Sequence, residues 1–386
     1  MKKIIIFLMI IIMMLLTVGC TSKKEIEKLA IIVSFGVDRT SDGKYMVSTQ
    51  ILKGQKSSSG GMGGGKNEKQ PTDVMSLIST GDTVPDALEH LSTKLGKKII
   101  LSHVKFIVIG EDTAKSGVGD LVNFVAREHE LRPNIIFLIA KGKASEILKT
   151  ITPEATVPTN TIVAILNLQS EYGYTPVVTS LDFSTALASK TASPLAGVIA
   201  LHQDEQAGTL FKLLGTAVFN KDKLIGYMDE QETRGMQWIT GKVTTGNIVI
   251  PSPDTGNITL DIIQADSTIR PIIINNKPII QITITEKGNI REMSGKLNIM
   301  KSPDIITALE EIQNEAIKRE IEKALYAAQQ TFKADIFDFG GTIHRDYPAD
   351  WKNFQGNWRE MFPDLTVEIT VNSSIPRIGT ISKPLY

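Results

Sequence analysis

Short Ile- and Val-rich runs over 29–37 and 44–52, separated by Asp42-Gly43, predict two strands joined by a tight turn. Residues 54–71 are rich in Gly, Ser and Lys without apolar periodicity and read as a mobile loop. From Thr83 the spacing of apolar positions alternates between helical and strand-like. It predicts a helix to Leu95, a strand over 98–109, a helix near 112–128 and a strand over 134–140 that follows Pro133. Helical stretches come next near 143–150, 159–171 and 179–189, so this half reads as mixed α/β.

The second half has another texture. β-Branched runs recur at 208–219, 223–228, 245–250, 257–265, 268–274 and 278–285, punctuated by Gly, Asn, Asp and Pro. That spacing predicts an antiparallel meander. A long helix should then run from Pro303 to about Phe332, with Ser302 as its cap and Asp304 in its first turn. Ile305, Leu309, Ile312, Ala316, Ile321, Leu325, Ala328 and Phe332 form its apolar stripe, which suits packing on a sheet. Tyr347, Trp351, Phe354, Trp358 and Phe362 recur every three or four residues and read as one helical face. A core stripe is the favoured reading. A partner-contact patch of Tyr347, Trp351, Phe354 and Trp358 is the alternative.

The expected fold class is therefore α+β, mixed and multi-domain. A mixed α/β region over 20–205 precedes a sheet-plus-long-helix region over 206–386, which has room for a further small subdomain. Residues 1–19 stand apart from both. Lys2 and Lys3, the apolar run 4–16 and the small residues before Cys20 describe a secretory signal peptide. The run is short for a spanning helix, which needs about 20 apolar residues.

Composition sharpens the picture at one point. The chain has 386 residues with 42 Lys+Arg, 42 Asp+Glu and a single Cys. Zero net charge leaves no basic footprint for nucleic acid. One Cys excludes an intramolecular disulfide and any multi-cysteine metal site. That Cys is Cys20, directly after Gly19, in a setting like the lipobox of bacterial lipoproteins, although Thr17 stands where Leu is usual and Leu16 lies one place further back. Its thiol is the group that can carry a diacylglyceryl thioether, so Cys20 is the expected lipid attachment point. Cleavage before it removes Lys2 and Lys3, leaving 40 basic against 42 acidic residues, a net of −2.

Motifs that imitate catalysis fail on context. Gly60 to Lys66 has the spacing of a phosphate-binding loop, but Asn67 stands where Ser or Thr should hold magnesium, and Pro71 follows where a helix should open. Asp338-Phe339-Gly340 and His344-Arg345-Asp346 resemble two kinase signatures in reversed order and nearly touching. His129-Glu130 begins a metalloprotease-like motif that Pro133 interrupts. The five His show no metal-ligand spacing, so no catalytic residue, cofactor or metal is expected.

Three blocks nevertheless resemble the Ger(x)C lipoproteins, the C subunits of bacterial spore germinant receptors. The first comprises Cys20, Glu25, Leu29-Ala30, Gly36-Val37-Asp38 and Gly43-Lys44-Tyr45. The family's usual Trp after the Cys is replaced by Thr21, a departure that touches only the tether. The second comprises Gly215 to Phe219, Lys223 to Gly226, Glu232, Gly235 and Trp238. The third comprises Lys333-Ala334-Asp335, Phe339-Gly340, His344-Arg345, Tyr347-Pro348, Trp351, Trp358, Phe362-Pro363, Ile375 and Gly379.

The resemblance implies several α/β domains without catalytic activity and makes the His344–Tyr347 cluster a structural hallmark. It implies a palmitate- or diacylglyceryl-bearing lipoprotein at the spore inner membrane, on the exported face. Its partners there would be two integral-membrane receptor subunits, one of them transporter-like. A solute-binding lipoprotein of a membrane transporter is the competing expectation. That reading needs two doubly wound lobes around a cleft.

Overall fold

The computed structural model describes residue 4 and residues 25–53, 73–152, 156–253, 255–294 and 303–376. Cys20, the loop 54–71, the cap Ser302 and Gly379 lie outside the described residues.

In chain order the elements are strands β1 (Leu29–Arg39), β2 (Tyr45–Leu52) and β3 (Val74–Gly81), helix α1 (Val84–Leu95), and strands β4 (Lys98–Ile100) and β5 (Phe106–Gly110). Helices α2 (Glu111–Ser116) and α3 (Gly119–Arg127) lead to β6 (Ile136–Ala140). Helices α4 (Ala144–Lys149), α5 (Pro158–Glu171) and α6 (Ser180–Ala188) precede β7 (Leu195–Asp204), β8 (Gly208–Asn220) and β9 (Lys223–Met228). Helix α7 (Glu230–Ile239) opens the second part, with β10 (Asn247–Pro251), β11 (Asn257–Ile274), β12 (Lys277–Met293) and the long α8 (Pro303–Tyr326). A π turn at Ala327–Phe332 and three short helices, α9 (Phe339–Asp346), α10 (Pro348–Phe354) and α11 (Trp358–Met361), end at β13 (Thr366–Ser374).

The first sheet has the order β3-β2-β1-β5-β6-β7-β8-β9, with β4 paired to β1 beside this path. Its centre, β1-β5-β6-β7, is parallel and both flanks are antiparallel. Central strands must then be apolar on both faces, which explains why β5 reads as a continuous run. Ile107 and Ile109 face a core shared with Leu88 and Leu91 of α1, Leu121 of α3 and Phe183 of α6. Phe106 and Val108 face the opposite core, with Ile147 and Leu148 of α4 and Ile162 and Leu166 of α5.

The second sheet has the order β10-β11-β12-β13. Its first three strands are the expected antiparallel meander, but β13 pairs parallel to β12. A parallel pair needs a long crossover, and everything from α8 to α11 supplies it.

Several elements differ from their sequence reading. The strand expected over 98–109 is two, because β1 pairs with β4 through Leu29–Ile31 and with β5 through Ser34–Val37. Buried Leu101 and Val104 lie in the turn between them, and their apolar character hid the break. The helix near 112–128 breaks at Gly117, whose φ of 124° no helix contains. The runs 257–265 and 268–274 form one strand, bulged near Ile262, so the polar interval did not end it. Strands β3 and β7 and helix α7 have no counterpart among the elements expected from the sequence. The aromatic face over 347–362 is not one helix but turns across α10, α11 and a short 3-10 segment. The division expected near residue 205 falls in the β7–β8 hairpin, so the strands on either side share one sheet, and the change of sheet comes after Met228.

Helix α7 joins the two parts. Asp229 and Glu232 form a reciprocal capping box at its start. A Cβ on Gly235 would lie 1.9 Å from the Glu320 carbonyl oxygen, so only glycine lets α7 and α8 cross this closely. Trp238 Nε1 donates to Glu320 Oε2 at 2.8 Å across the same crossing. Replacing Gly235 by Ala should force the helices apart and lower stability by about 2 kcal/mol. Urea unfolding checks this, with Trp238→Phe expected to lose about 1 kcal/mol through its missing N–H donor alone.

Candidate functional site

The sequence blocks singled out above converge on joints rather than on a reactive cleft. Asp38, at the end of β1, is buried and accepts from the backbone N–H groups of Ala144 and Ser145, both at 2.9 Å. It thereby caps α4, whose Lys143 supplies no side-chain cap. Gly36 makes this approach possible, because a Cβ there would come within 2.9 Å of the Ala144 Cβ.

The third block builds the densest joint. The π turn closes α8, Lys333 adopts a left-handed φ of 49°, and the chain reverses into Asp335. The Asp335 side chain is 3% exposed. Its Oδ1 accepts from Phe339 N–H at 3.0 Å and Phe337 N–H at 3.3 Å, and its Oδ2 from Gly340 N–H at 2.9 Å and Trp358 Nε1 at 3.0 Å. A Cβ on Gly340 would sit 2.6 Å from Trp358 Nε1, so the indole reaches the carboxylate only past a glycine. Burial pushes the Asp335 carboxyl up to about 6, against the pull of the donors from Gly340, Phe339 and Trp358.

This joint also latches the two parts of the molecule. Ala192 bridges to Asp335, Ser193 N–H donates to the Asp335 carbonyl at 2.9 Å, and Thr191 Oγ1 donates to Asp338 Oδ1 at 3.0 Å. Arg359 Nη1 donates to Asn220 Oδ1 of β8 at 3.3 Å. Between them lies a cavity of about 170 Å³ lined by Thr191, Ser193, Asn220, Lys333, Asp335 and Arg359, among others. It is below the ordinary size of a small-molecule site.

The aromatic residues belong to the same joint. Trp351, Phe354, Trp358 and Phe362 are all buried, and Trp351 meets Trp358 edge-on at 5.5 Å. The partner-patch alternative is corrected for Trp351, Phe354 and Trp358, which have no free surface to offer. Tyr347 is half-buried, and Cys20 is outside the described residues. His344 stacks on Trp351 at 5.8 Å. The kinase-like Asp338 is held by Thr191 and Arg345. Among the described residues no group of three or more His, Cys, Asp or Glu could hold a metal, and no helix is long and apolar enough to cross a membrane.

Residues 22–201 match the family described as spore germination protein N-terminal domain, and residues 214–379 match spore germination B3/GerAC like, C-terminal. The chain belongs to the spore germination B3/GerAC-like family. Spore germination protein KC of Bacillus subtilis (strain 168) is 26% identical over 402 residues, covering 100% of this chain and 98% of that one. Spore germination protein B3 of the same organism is 25% identical, covering 96% and 97%. The crystal structure of the GerBC protein shares the fold at a TM-score of 0.58 and 20% identity, over 89% of this chain and 96% of that one. The boundary between the two family matches falls in the β7–β8 hairpin, although the sheet runs through it.

Family residues that looked chemical thus have identifiable packing roles here. Asp335→Ala should strand buried N–H donors and lower stability by about 3 kcal/mol. The ionised Asp335 is the costly form, because its folded value of about 6 exceeds the ordinary carboxylate value of 3.8. Its contribution is fully present below the lower value and lost as pH rises through the upper one. Asp335→Asn should flatten this dependence in chemical unfolding measured across that window.

Proposed function

We propose that this chain is a non-enzymatic, lipid-anchored subunit of a nutrient germinant receptor. It works at the exported face of the spore inner membrane through contacts with two integral-membrane subunits, one transporter-like. The observation that carries the reading is the match of both family models along nearly the whole chain, to relatives named as spore germination proteins. Two features support it. Signature residues such as Asp38, Gly235 and Asp335 serve joints, leaving no nucleophile, base or oxyanion donor among them. Cys20 is the single thiol and follows a signal-like segment, while the balance of 40 basic and 42 acidic residues after cleavage offers no bulk attraction to anionic lipid. The membrane is then reached through lipid on Cys20 and through the partners, two acyl chains giving stable anchoring where one does not.

The competing reading, a solute-binding lipoprotein, requires two similar lobes closing on a ligand. Only the first part has helices on both faces of a sheet with a parallel centre, and the second is a four-stranded sheet crossed by α8.

Cys20→Ala should move the protein from the membrane to the soluble fraction of spore lysates and slow nutrient-triggered germination. Retention of the variant in the membrane fraction would sink the lipid anchor. Crosslinking in intact spores should recover a multi-spanning, transporter-like subunit, and its absence would remove the receptor assignment.

A further inference from the structure

Behind the second sheet lies a buried acid that the joints above do not use. Glu286, on β12, is fully buried. It sits in a cross-strand row between Ala265 of β11 and Ser373 of β13, beneath Gln313 of α8, which is also fully buried. Gln313 Nε2 lies 2.5 Å from Glu286 Oε2. Among the described residues, Glu286 Oε1 and Gln313 Oε1 have no hydrogen-bond partner. Gly288 leaves room for the pair, since a Cβ there would lie 2.8 Å from Glu286 Oε1 and 3.2 Å from Gln313 Nε2.

An ionised carboxylate accepts only, and an amide oxygen accepts only. As a carboxylate, Glu286 would therefore be a buried charge with one donor, facing an amide whose own oxygen is orphaned. One proton resolves both defects. A carboxylic acid and a primary amide form a two-point pair, in which the acid O–H donates to the amide oxygen and the amide N–H donates to the acid carbonyl.

We propose that Glu286 is a proton-binding site, held un-ionised so that its O–H completes an acid–amide pair with Gln313, and that losing this proton loosens α8 from β13. Burial pushes the carboxyl up to about 7, and the Ser373 hydroxyl pulls the other way without reaching hydrogen-bond geometry.

The charged groups around it offer no substitute partner. On α8, Glu310 is committed to the Ile375 N–H at 2.8 Å, while Glu311, Glu315 and Lys318 line an open groove beside Ile369 and Val371. On β11, Asp261 pairs with Arg291 at 3.8 Å. Lys287 and Arg291 of β12 lie on the opposite face by strand alternation. β13 contributes Ser373 and Ser374, and its Glu368 lies on the far face with Gln281. No cation pairs with Glu286 among the described residues.

The consequence falls on the seam where α8 covers the edge strand. Asn314 Oδ1 accepts the Ser373 N–H at 2.7 Å, one residue along α8 from Gln313, and Ser374 Oγ reaches the Glu286 carbonyl at 3.4 Å. A charge formed at Glu286 would drive water toward this seam. Because the folded value lies above the ordinary value of 4.5, the proton's contribution is full below 4.5 and is lost as pH rises to 7.

Hydrogen–deuterium exchange of the full-length protein in detergent, corrected for intrinsic rates, reads this directly. Peptides over 303–326 and 366–374 should lose protection as pH rises from 4.5 toward 7, by up to about tenfold per pH unit for one linked proton, and level off above 7. Glu286→Gln keeps the shape without the proton and should remain protected and flat with pH; an unchanged pH dependence in that variant overturns the proposal. If the variant does not fold, infrared difference spectra of the wild type with isotope-labelled Glu decide. An un-ionised carboxyl band that titrates near pH 7 supports the site, and its absence at pH 6 overturns it.

Discussion

The Asp335 carboxylate is the interaction on which the two parts of the molecule depend. A buried carboxylate is expensive unless donors converge on it. Here three backbone N–H groups and one indole do so. The donors come from the start of α9 and from α11, so one side chain fixes the path of the chain after α8. The same residue's carbonyl and bridge hold the loop at Ala192 and Ser193, which leads into β7. One residue thus serves local folding through its side chain and docking through its main chain.

Asp38 repeats the device in the first sheet, with two backbone donors from α4. Both carboxylates need glycines beside them, because a backbone N–H or an indole must come within hydrogen-bond distance. Small residues and acids therefore travel together in the family blocks for a mechanical reason. Such junctions are rigid, and a force applied at one lobe passes to the other only through fixed joints.

Much of the local structure was legible. The β1–β2 hairpin, α1 and the long α8 followed from the periodicity of apolar positions, while the Thr83 cap of α1 appears only in the structure. What escaped depended on partners distant in sequence. β4 and β5 separate because β1 pairs with each in turn, and no local pattern encodes that. α7 escaped because Gly235 and a polar composition conceal a helix whose buried side faces α8. The aromatic face had the right residues but the wrong continuity, since Pro348 and the Gly356-Asn357 stretch divide it into separate helices. The family blocks could be listed from the sequence, yet their common role as acid-centred joints appears only when Asp335 is placed beside Trp358.

The buried acids fall into two classes by the number of donors they receive. Asp38 and Asp335 are served by two and four donors, so each oxygen of either carboxylate is satisfied and the geometry is unique. Glu286 has one donor and an orphaned oxygen, opposite an amide in the same condition. Saturated acids suit permanent joints, because every alternative arrangement loses several bonds at once. An under-served acid has two near-balanced states that differ by a proton. The molecule places its saturated acids where lobes and helices must not part, and its under-served acid beneath α8, the helix that covers the open edge at β13. If any part of this fold yields without unfolding, donor counting assigns it first to that helix, since the Asp335 latch keeps its four donors when its own proton is lost near 6.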